Sequence, residues 1–296
     1  MDGTIVVGLD ASPGSLDAMQ WAVGTAARTG ATVQPVSAWE YPIVALLPFP
    51  AGLPAPPPEV LQEEAEARAR RLVDRDEIWQ NVETRDRVSL ADPIVKQGAT
   101  GKLLCAAAKP DDILVLGSRG LGSVKRVMLG SVTSYCARAA TGPVVVVPTP
   151  AGDSQDKGVV VVGIDGSESS NQAINWADKW AAEDALLLIV HAWDLPPTLD
   201  ATLAEIDVGL IEAGADELLA DAAKRVTRHK VDTLRLRGDA RTELERLAQD
   251  ADALVVGARG RSKLERMLLG SVATYSVQHA QVPTVVVHAT EESADS

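Results

Sequence analysis

Short, continuous apolar runs recur along the chain, and longer amphipathic stretches separate them. Runs of this kind are typical of parallel β-strands that helices cover on both faces. In the first half we predict strands at Thr4–Leu9, Thr32–Ala38, Pro93–Gln97, Ile113–Leu116 and Val144–Val147. In the second half we predict strands at Val159–Ile164, Ala185–Ala192, Thr233–Arg237, Ala253–Val256 and Thr284–His288.

The stretches between these runs have the periodicity of helices. In the first helix of each half, small and apolar residues form one stripe: Ala18, Trp21, Ala22 and Thr25, and then Ala173, Trp176, Ala177 and Trp180. The second helix begins at Glu59 and is dense in acid–base pairs at helical spacing, which favours a solvated face over a binding role. Nothing interrupts its pattern firmly before Pro93, so the sequence does not define where it ends.

The two halves are copies of one another. The segment TIVVGLDASPGSLDAMQWAV, near the start, matches VVVVGIDGSESSNQAINWAD, which begins at Val159. Later matches, from Gly98 with Gly238 to Pro143 with Pro283, keep a second, shorter offset. A long internal repeat indicates a repeated structural unit, and about 150 residues is a usual domain length. We therefore predict two domains, residues 1–150 and 151–296.

Alternating strands and helices predict an α/β fold with right-handed crossover connections. We expect each domain to be a flavodoxin-like, doubly wound sandwich, in which helices cover a parallel sheet of five strands in the order 3-2-1-4-5. In such sheets, ligands bind at the carboxyl ends of the strands where the strand order reverses. A binding crevice is therefore expected beside the ends of strands one and four.

Two segments interrupt the repeat. The first half alone carries a proline-rich insert, Tyr41–Pro58, which we interpret as an extended surface loop or lid. The halves are joined by Pro148–Gly158, which is polar and rich in turn-forming residues and is therefore predicted to be a linker.

Charge and hydropathy narrow the classes of partner. The net charge of −13 argues against binding to nucleic acid or to anionic membranes through a general basic surface. A small phosphate-bearing ligand stays compatible with it, because backbone N–H groups hold phosphate without net positive charge. No apolar run approaches the ~20 residues of a membrane helix. With no signal peptide visible either, we expect a cytoplasmic protein.

The two cysteines carry little information in the sequence. Cys105 and Cys136 both fall in predicted helices, and their spacing is not that of metal ligands. We interpret both as buried, reduced thiols.

Residues with the chemistry for a nucleotide site stand at matching strand ends in both halves. Strand one is followed by Asp10 or Asp165, strand two ends in Ala38–Trp39 or Ala192–Trp193, and strand four ends in Gly117 or Gly257. The stretches GSRGLGSVKRVMLGS and GARGRSKLERMLLGS, here called the glycine loops, begin at those last glycines and share the pattern Gly-x-x-Gly-x9-Gly-Ser.

The first glycine loop shows how such a site could work. Gly117 and Gly120 let the backbone turn sharply and admit a ligand without Cβ obstruction. Gly130 and Ser131 open the next helix, whose free N–H groups and dipole attract anions. Ser131 is expected to cap that helix and to donate to a phosphate oxygen. Asp10 is expected to accept hydrogen bonds from ribose hydroxyls or the adenine amino group.

Each of these residues also has a purely structural alternative. A strand-end Asp caps a following helix, a glycine after a strand makes a turn, and Ser131 is equally suited to being a simple cap. Trp39 and Trp193 either cover a base or pack at the rim of the core, and tryptophan burial favours packing. Four arginines near the loops could contact phosphate, although surface arginines usually have no specific role: Arg119, Arg126, Arg259 and Arg266. The recurrence of the strand-end residues in both halves favours the nucleotide site.

The glycine-loop pattern after DDILVLG, together with VVGLDAS near the start, resembles the ATP-binding subgroup of the universal stress protein family. The resemblance covers nearly the whole chain as two tandem domains, in the form common in actinobacteria. It implies that each domain binds ATP or a related adenine nucleotide, with or without Mg²⁺. The implied first site is Asp10, Ala38, Gly117, Gly120, Gly130, Ser131 and Val132, and the second is Asp165, Ala192, Gly257, Gly260, Gly270, Ser271 and Val272.

The resemblance also implies a homodimer and unidentified regulatory partners. Domains of this family pair through their last strands, here Val144–Val147 and Thr284–His288, within one chain or between two. The proline-rich insert departs from the family's minimal pattern, so the resemblance does not define how open the first site is.

Three classes of function remain to be compared. All four histidines lie in the second half, no metal or nucleophile motif is present, and the loops lack the Gly-Lys-Ser/Thr ending of a P-loop. These absences disfavour an enzyme with catalytic residues or a metal site. We predict a nucleotide-dependent stress-response regulator or sensor. The alternatives are an interaction scaffold that binds no nucleotide and a slow ATP hydrolase.

Overall fold

The computed structural model describes residues 3–41, 56–80, 82, 85–120, 129–149, 157–194, 207–260 and 269–289. These residues fall into two compact units, Met1–Pro150 and Ala151–Ser296. Each unit contains one copy of the sequence repeat. The linker residues 150–156 lie outside the described residues.

The first unit alternates strands and helices in the predicted manner. Its strands are β1 (Thr4–Gly8), β2 (Thr32–Trp39), β3 (Ser89–Leu90), β4 (Ile94–Gln97), β5 (Ile113–Gly117) and β6 (Val144–Val147). Its helices are α1 (Pro13–Thr29), α2 (Pro58–Val73), α3 (Asp76–Trp79), α4 (Thr100–Ala107) and α5 (Ser131–Ala139), with a 3-10 turn at Arg85–Arg87.

The sheet of the first unit is parallel, and β1 lies between β2 and β5. β6 pairs with the other side of β5. The predicted third strand, Pro93–Gln97, is β4. A two-residue strand that was not predicted, β3, precedes it, and both pair with β2 on either side of Pro93. Proline has no N–H to donate to the ladder, so the pairing is interrupted there. With β3 and β4 counted as one, the order is the predicted 3-2-1-4-5.

The second unit repeats this plan. Its strands are β7 (Val159–Gly163), β8 (Leu186–Trp193), β9 (Lys230–Arg237), β10 (Ala253–Gly257) and β11 (Thr284–Val287). Its helices are α6 (Glu168–Trp180), α7 (Val208–Ala223), α8 (Ala240–Ala248) and α9 (Ser271–His279). The parallel order is β9-β8-β7-β10-β11. The α/β, doubly wound fold class is therefore confirmed. β9 begins three residues before the predicted start, because its first residues are largely exposed and polar and no apolar run marks them.

The core of each unit lies on both faces of its central strands. Ile5, Val6 and Val7 of β1 are fully buried, since helices cover the sheet above and below them. The first helix places its predicted stripe on the sheet, with Ala18 and Ala22 at 0% exposure. Burial of this kind contributes about 25 cal/mol per Å² of apolar surface. The continuous apolar runs are thus explained by burial on both sides.

The charged second helix is shorter than its sequence pattern. α2 ends at Val73, and α3 starts at Asp76 after a short break. Trp79 Nε1 donates to the carbonyl oxygen of Val73 at 2.9 Å and so satisfies one of the carbonyls that a continuing helix would use. Ala65 and Ala69 face the core while most charged residues of α2 face solvent, as the pattern predicted.

A buried hydrogen-bonded cluster around Asp178 holds the segment between α7 and β9 in the second unit. Asp178 of α6 accepts hydrogen bonds from the Thr227 N–H and hydroxyl and from the Arg228 N–H, and it lies 3.1 Å from Nδ1 of His229. Burial raises the pKa of Asp178, but the hydrogen bonds from Thr227, Arg228 and His229 outweigh it and lower the pKa to about 2. His229 Nε2 also lies 2.9 Å from the carbonyl oxygen of Ala182. The cluster fixes the segment that leads into β9.

In the part of the chain that the structure describes, no helix has the length and apolar character needed to cross a membrane.

Candidate functional site

The carboxyl end of the first strand makes the same turn in both units. Asp10 Oδ1 accepts a hydrogen bond from the Ser12 N–H at 2.9 Å, and Asp165 Oδ1 accepts one from the Ser167 N–H at 3.0 Å. The residue between them has a left-handed backbone, φ 67° at Ala11 and φ 79° at Gly166. The aspartate is therefore held at the strand end by an Asx-type turn.

The first helix is capped by a serine and not by this aspartate. Ser12 and Ser167 are the N-cap residues of α1 and α6, and each accepts a hydrogen bond from the N–H three residues later. The same two hydroxyls donate to the carbonyl oxygens of Arg119 and Arg259, at 3.4 Å and 3.1 Å. Each cap thus ties the first helix to a glycine loop, and helix capping does not account for the strand-end aspartate.

The second carboxylate oxygen of the aspartate lies next to the second glycine of the loop. A Cβ built on Gly120 would stand 2.7 Å from Asp10 Oδ2, and one on Gly260 would stand 2.7 Å from Asp165 Oδ2. Any side chain at these positions would displace the carboxylate. The structure therefore brings the predicted Asp and Gly together in both units.

The first glycine of each loop is required by packing. A Cβ on Gly117 would stand 2.4 Å from the carbonyl carbon and oxygen of Gly14, in the first turn of α1. A Cβ on Gly257 would stand 2.8 Å from the carbonyl carbon of Ser169 in α6. The end of strand four and the start of the first helix thus touch through their backbones, which explains these glycines without a ligand.

The third glycine begins the helix that follows the loop. Gly130 is the N-cap of α5, and Gly270 is the N-cap of α9, each in an extended backbone conformation. Neither cap supplies a side-chain hydrogen bond, so no side chain of the cap covers the N–H groups of the first turn. The N–H groups of Gly130 and Gly270 donate back to Ser118 and Ala258 at 3.0 Å and 2.8 Å, which closes the base of each loop.

The expectation that Ser131 caps this helix is wrong. Ser131 and Ser271 are the first helical residues, and they are exposed beside Val132 and Val272. Glycine and serine are both good caps and stand side by side here, so the sequence does not decide between them. The N–H groups of Ser131 and Ser271 still belong to a first helical turn whose cap has no side chain, so the prediction that this helix start attracts anions does not depend on which residue is the cap.

Ala38 and Ala192, one residue before the end of β2 and β8, lie across β1 and β7 from the strands that lead into the glycine loops. Ala38 pairs with Lys96 of β4, and Ala192 pairs with Leu236 of β9. After each partner strand, the N–H of a glycine with positive φ donates to the carbonyl of the neighbouring tryptophan: Gly98 to Trp39 at 3.0 Å, and Gly238 to Trp193 at 2.8 Å. These two glycines are site neighbours that the repeat contained but that sequence reasoning did not assign.

The two tryptophans occupy packing positions. Trp39 lies against Ala65 and Ala69 of α2, and its Nε1 donates to Gln62 Oε1 at 2.5 Å. Trp193 is 9% exposed, and the Arg237 guanidinium lies 5.5 Å from its ring centre. This geometry favours the packing alternative for both side chains.

Two hydroxyls beside the first site are buried without a hydrogen-bond partner among the described residues. Ser118 Oγ follows the strand-end glycine, and Thr149 Oγ1 follows β6 and would lie 3.0 Å from a Cβ on Gly14. Burying an unpaired hydroxyl costs about 1–3 kcal/mol, so such a group marks a place where a partner is missing. The corresponding residues of the second unit are Ala258 and Ala289. Sequence reasoning missed both hydroxyls, although Ser118 adjoins a predicted site residue.

Several predicted neighbours lie outside the described residues. Residues 121–128 and 261–268, which include Arg126 and Arg266, are among them, as are residues 42–55 of the proline-rich insert. Arg119 and Arg259 are described, and their carbonyl oxygens accept the serine hydrogen bonds given above. The Tyr41 hydroxyl donates to the Pro56 carbonyl at 2.8 Å, which joins the two ends of the insert.

The histidines do not form a repeated catalytic group. His191 Nδ1 lies 2.9 Å from the carbonyl oxygen of Ile164, and the ring of His279 stacks on Tyr275 at 4.0 Å. Across the described residues, no group of three or more His, Cys, Asp or Glu side chains is placed to hold a metal ion. The strand ends and loop bases described above carry backbone donors, a carboxylate and, in the first unit, buried hydroxyls.

The doubly wound sheet with its duplicated glycine loops defines the class of protein. A sequence model of the universal stress protein family matches residues 1–148 and, again, residues 158–288. The chain therefore belongs to the universal stress protein family and carries two family domains in tandem.

Relatives match the chain over nearly its whole length. A universal stress protein of Mycolicibacterium smegmatis is 29% identical over 290 residues, which cover 96% of each chain. One of Mycobacterium tuberculosis H37Rv is 31% identical over 318 residues, covering 98% of this chain and 96% of the relative. Among solved structures, a universal stress protein of Archaeoglobus fulgidus DSM 4304 shares the fold with a TM-score of 0.65 at 17% identity, covering 98% of this chain and 97% of that one.

Proposed function

We propose that each domain binds one adenine nucleotide, ATP, and that occupancy of the sites regulates which surface the protein presents to partner proteins. The observation that carries the proposal is the first turn of α5 and of α9, whose glycine cap supplies no side-chain hydrogen bond. In the same glycine loop of each domain, the second glycine contacts the strand-end aspartate; this contact is here called the Asp–Gly pair. Uncapped N–H groups at a helix start, together with the helix dipole, attract phosphate. Recurrence in two copies with only partial sequence identity supports a shared ligand.

The residues present fit such a ligand. The N–H groups of Ser131 and Val132 in the first site, and of Ser271 and Val272 in the second, would face the phosphates. The Asp10 and Asp165 carboxylates would accept hydrogen bonds from the ribose or the adenine amino group. Ala38 and Ala192 would leave room at the far side of the crevice. In the first site, the nucleotide would supply a hydrogen-bond partner for the buried hydroxyls of Ser118 and Thr149.

Mg²⁺ would arrive with the nucleotide and be held by its phosphates, because the described part of the chain supplies no cluster of metal ligands of its own. None of the four histidines has a counterpart in the first domain, so the proposal is a binding function and not an enzyme.

Calorimetry and native mass spectrometry test the binding. The full chain is expected to bind two ATP molecules, and Gly130→Ala or Gly270→Ala is expected to remove one each. Among the described residues, a methyl group at Gly130 meets nothing closer than 3.6 Å, and one at Gly270 meets the Ala258 carbonyl oxygen at 3.3 Å. Loss of binding would therefore report crowding of the ligand and not unfolding, most cleanly at Gly130.

Matched controls are available in both domains. A Cβ on Gly24 or on Gly214 meets no atom of the described part of the chain within 4 Å, so Gly24→Ala and Gly214→Ala should leave binding unchanged. Retention of two ATP molecules by the Gly130→Ala, Gly270→Ala double variant would show that the glycine loops are not the site. Comparing ATP, ADP, AMP and cyclic AMP would show how much of the affinity depends on the terminal phosphates.

The alternatives give different results in the same experiments. A scaffold would bind none of these nucleotides at millimolar concentration, whereas a hydrolase would release ADP or AMP steadily from bound ATP. The proposal also includes a cytoplasmic location and a homodimer, and light scattering with and without ATP would test the dimer.

A further inference from the structure

The two cysteines, distant in sequence, meet in the first domain. Cys105 lies on α4 and Cys136 on α5, and the two thiols are close enough for each to perturb the pKa of the other. The Cys136 sulfur also lies 3.7 Å from the carbonyl oxygen of Gly101, one turn before Cys105 on α4. Cys136 is fully buried, but Cys105 is partly exposed, which corrects the expectation that both are buried.

The two thiols are chemically unequal. The hydrogen bond from Cys136 lowers the pKa of the Cys105 thiol more than burial raises it. The same hydrogen bond, burial and the charge on Cys105 raise the pKa of Cys136. The thiolate is the reactive form of cysteine, so the accessible member of the pair is also the more nucleophilic one. A partly exposed cysteine with a lowered pKa beside a second thiol is an arrangement typical of redox-sensing cysteines.

We propose that Cys105 and Cys136 form a reversible disulfide in response to peroxide. The Cys105 thiolate attacks one oxygen of hydrogen peroxide and breaks the O–O bond, which leaves a sulfenic acid and releases hydroxide that is protonated to water. The Cys136 sulfur then attacks the Cys105 sulfur, and the departing hydroxide takes the Cys136 proton to form a second water. The two thiols lose two electrons and two hydrogens, and the peroxide is reduced to water.

The position of the pair gives the disulfide a consequence for the first domain. It would join α5, which begins at Ser131, to α4, whose Leu104 is buried against the β1 strand near Gly8. The equivalent residues of the second domain are Glu245 and Ser276, which cannot form this bond. Oxidation would therefore act on one domain of the tandem. The disulfide does not depend on nucleotide binding, so its test is independent of the proposed function.

The test is peroxide treatment of the reduced full-length chain, followed by alkylation and mass spectrometry. The expected product is a monomeric chain lighter by two hydrogen atoms, with a peptide that links Cys105 to Cys136 and is cleaved by dithiothreitol. Disulfide-linked dimers without this internal link, or two thiols that remain free, would overturn the proposal.

Two variants separate the roles of the cysteines. Cys136→Ser copies the residue that the second domain buries at the matching place, so the fold should tolerate it, and Cys105 should stop at a sulfenic acid that dimedone traps. Cys105→Ser should slow oxidation of the remaining thiol at least about tenfold, because a buried, protonated thiol is a poor nucleophile. Equal oxidation rates in the two variants would contradict the assignment. Circular dichroism checks that both are folded, and Cys136→Ala serves if Cys136→Ser is not.

Discussion

The two domains share the backbone of the candidate site but not the hydroxyls around it. The Asp–Gly pair and the glycine cap recur in both domains. A Cβ built on Gly120 or on Gly260 would lie 2.7 Å from the aspartate Oδ2 in either domain. Around that frame, Ser118 and Thr149 of the first domain are alanines in the second. The duplicated chain thus kept the Asp, the glycines and the helix start of the candidate site and varied the hydroxyls around them. On the proposed function, we therefore expect the two sites to bind nucleotide with unequal affinity.

The second domain differs most in how it is anchored away from the site. Asp178 and His229 are buried there, whereas the residue of the first domain that the repeat matches to Asp178 is Val23. Asp178→Asn should lower the free energy of unfolding of the second domain by about 3 kcal/mol, because it removes a buried charge from its hydrogen-bond donors. Hydrogen exchange of the full chain would localise the loss. Asp221→Asn, which breaks a fully exposed ion pair with Lys224, is the matched control and should change nothing measurable.

The same substitution has a defined pH dependence. The pKa of Asp178 is lowered to about 2 in the folded protein, below the ~3.9 of an unfolded Asp. Its contribution is therefore fully present above about pH 4 and is lost as the pH falls towards 2. The difference in unfolding temperature between wild type and Asp178→Asn should shrink over that interval. A difference that stayed constant down to pH 2 would contradict the role given to the carboxylate.

Gly117→Ala should be the next largest change. Its Cβ would overlap the backbone of Gly14, and such overpacking costs about 2–3 kcal/mol. Thermal unfolding should therefore show a destabilised first domain. Gly130→Ala, whose Cβ has no close contact with any residue that the structure describes, should unfold near the wild-type temperature. If Gly117→Ala instead kept its stability and lost only ATP binding, Gly117 would be a ligand residue and not a packing residue.

Ser118→Ala should have opposite effects on stability and binding. Removing a buried hydroxyl that has no partner among the described residues should stabilise the first domain by about 1 kcal/mol and weaken its nucleotide binding by a similar amount. The reverse change, Ala258→Ser, should strengthen the second site. Denaturant titration and calorimetry on the same samples measure the two effects, and a loss of stability in Ser118→Ala would show that the hydroxyl already has a partner.

The smallest expected effect concerns the turn after the first strand. Ala11 has φ 67°, a conformation that glycine adopts at less cost, and the second domain has Gly166 there at φ 79°. Ala11→Gly should stabilise the first domain by up to about 1 kcal/mol, and Gly166→Ala should destabilise the second by a similar amount. Unfolding shifts of the same sign in both variants would argue against this account.

The sequence predicted what depends on local pattern and repetition. Buried central strands such as β1 and β5 are apolar throughout, so their ends, and the residues after them, could be located. The start of the polar edge strand β9 and the break after Val73 could not, because each depends on a partner elsewhere: β8 in one case and Trp79 in the other. The Cys105–Cys136 contact was missed for the same reason, since nothing in either helix indicates the other.

The hydrogen bond from Tyr41 to Pro56 has a practical consequence. It fixes the two ends of the insert at one place on the domain, and lengthening a closed loop costs only about 0.6 kcal/mol per doubling. The stretch between these residues is therefore a natural place to graft a foreign peptide or a fluorescent reporter, with Tyr41 and Pro56 retained as the base of the graft.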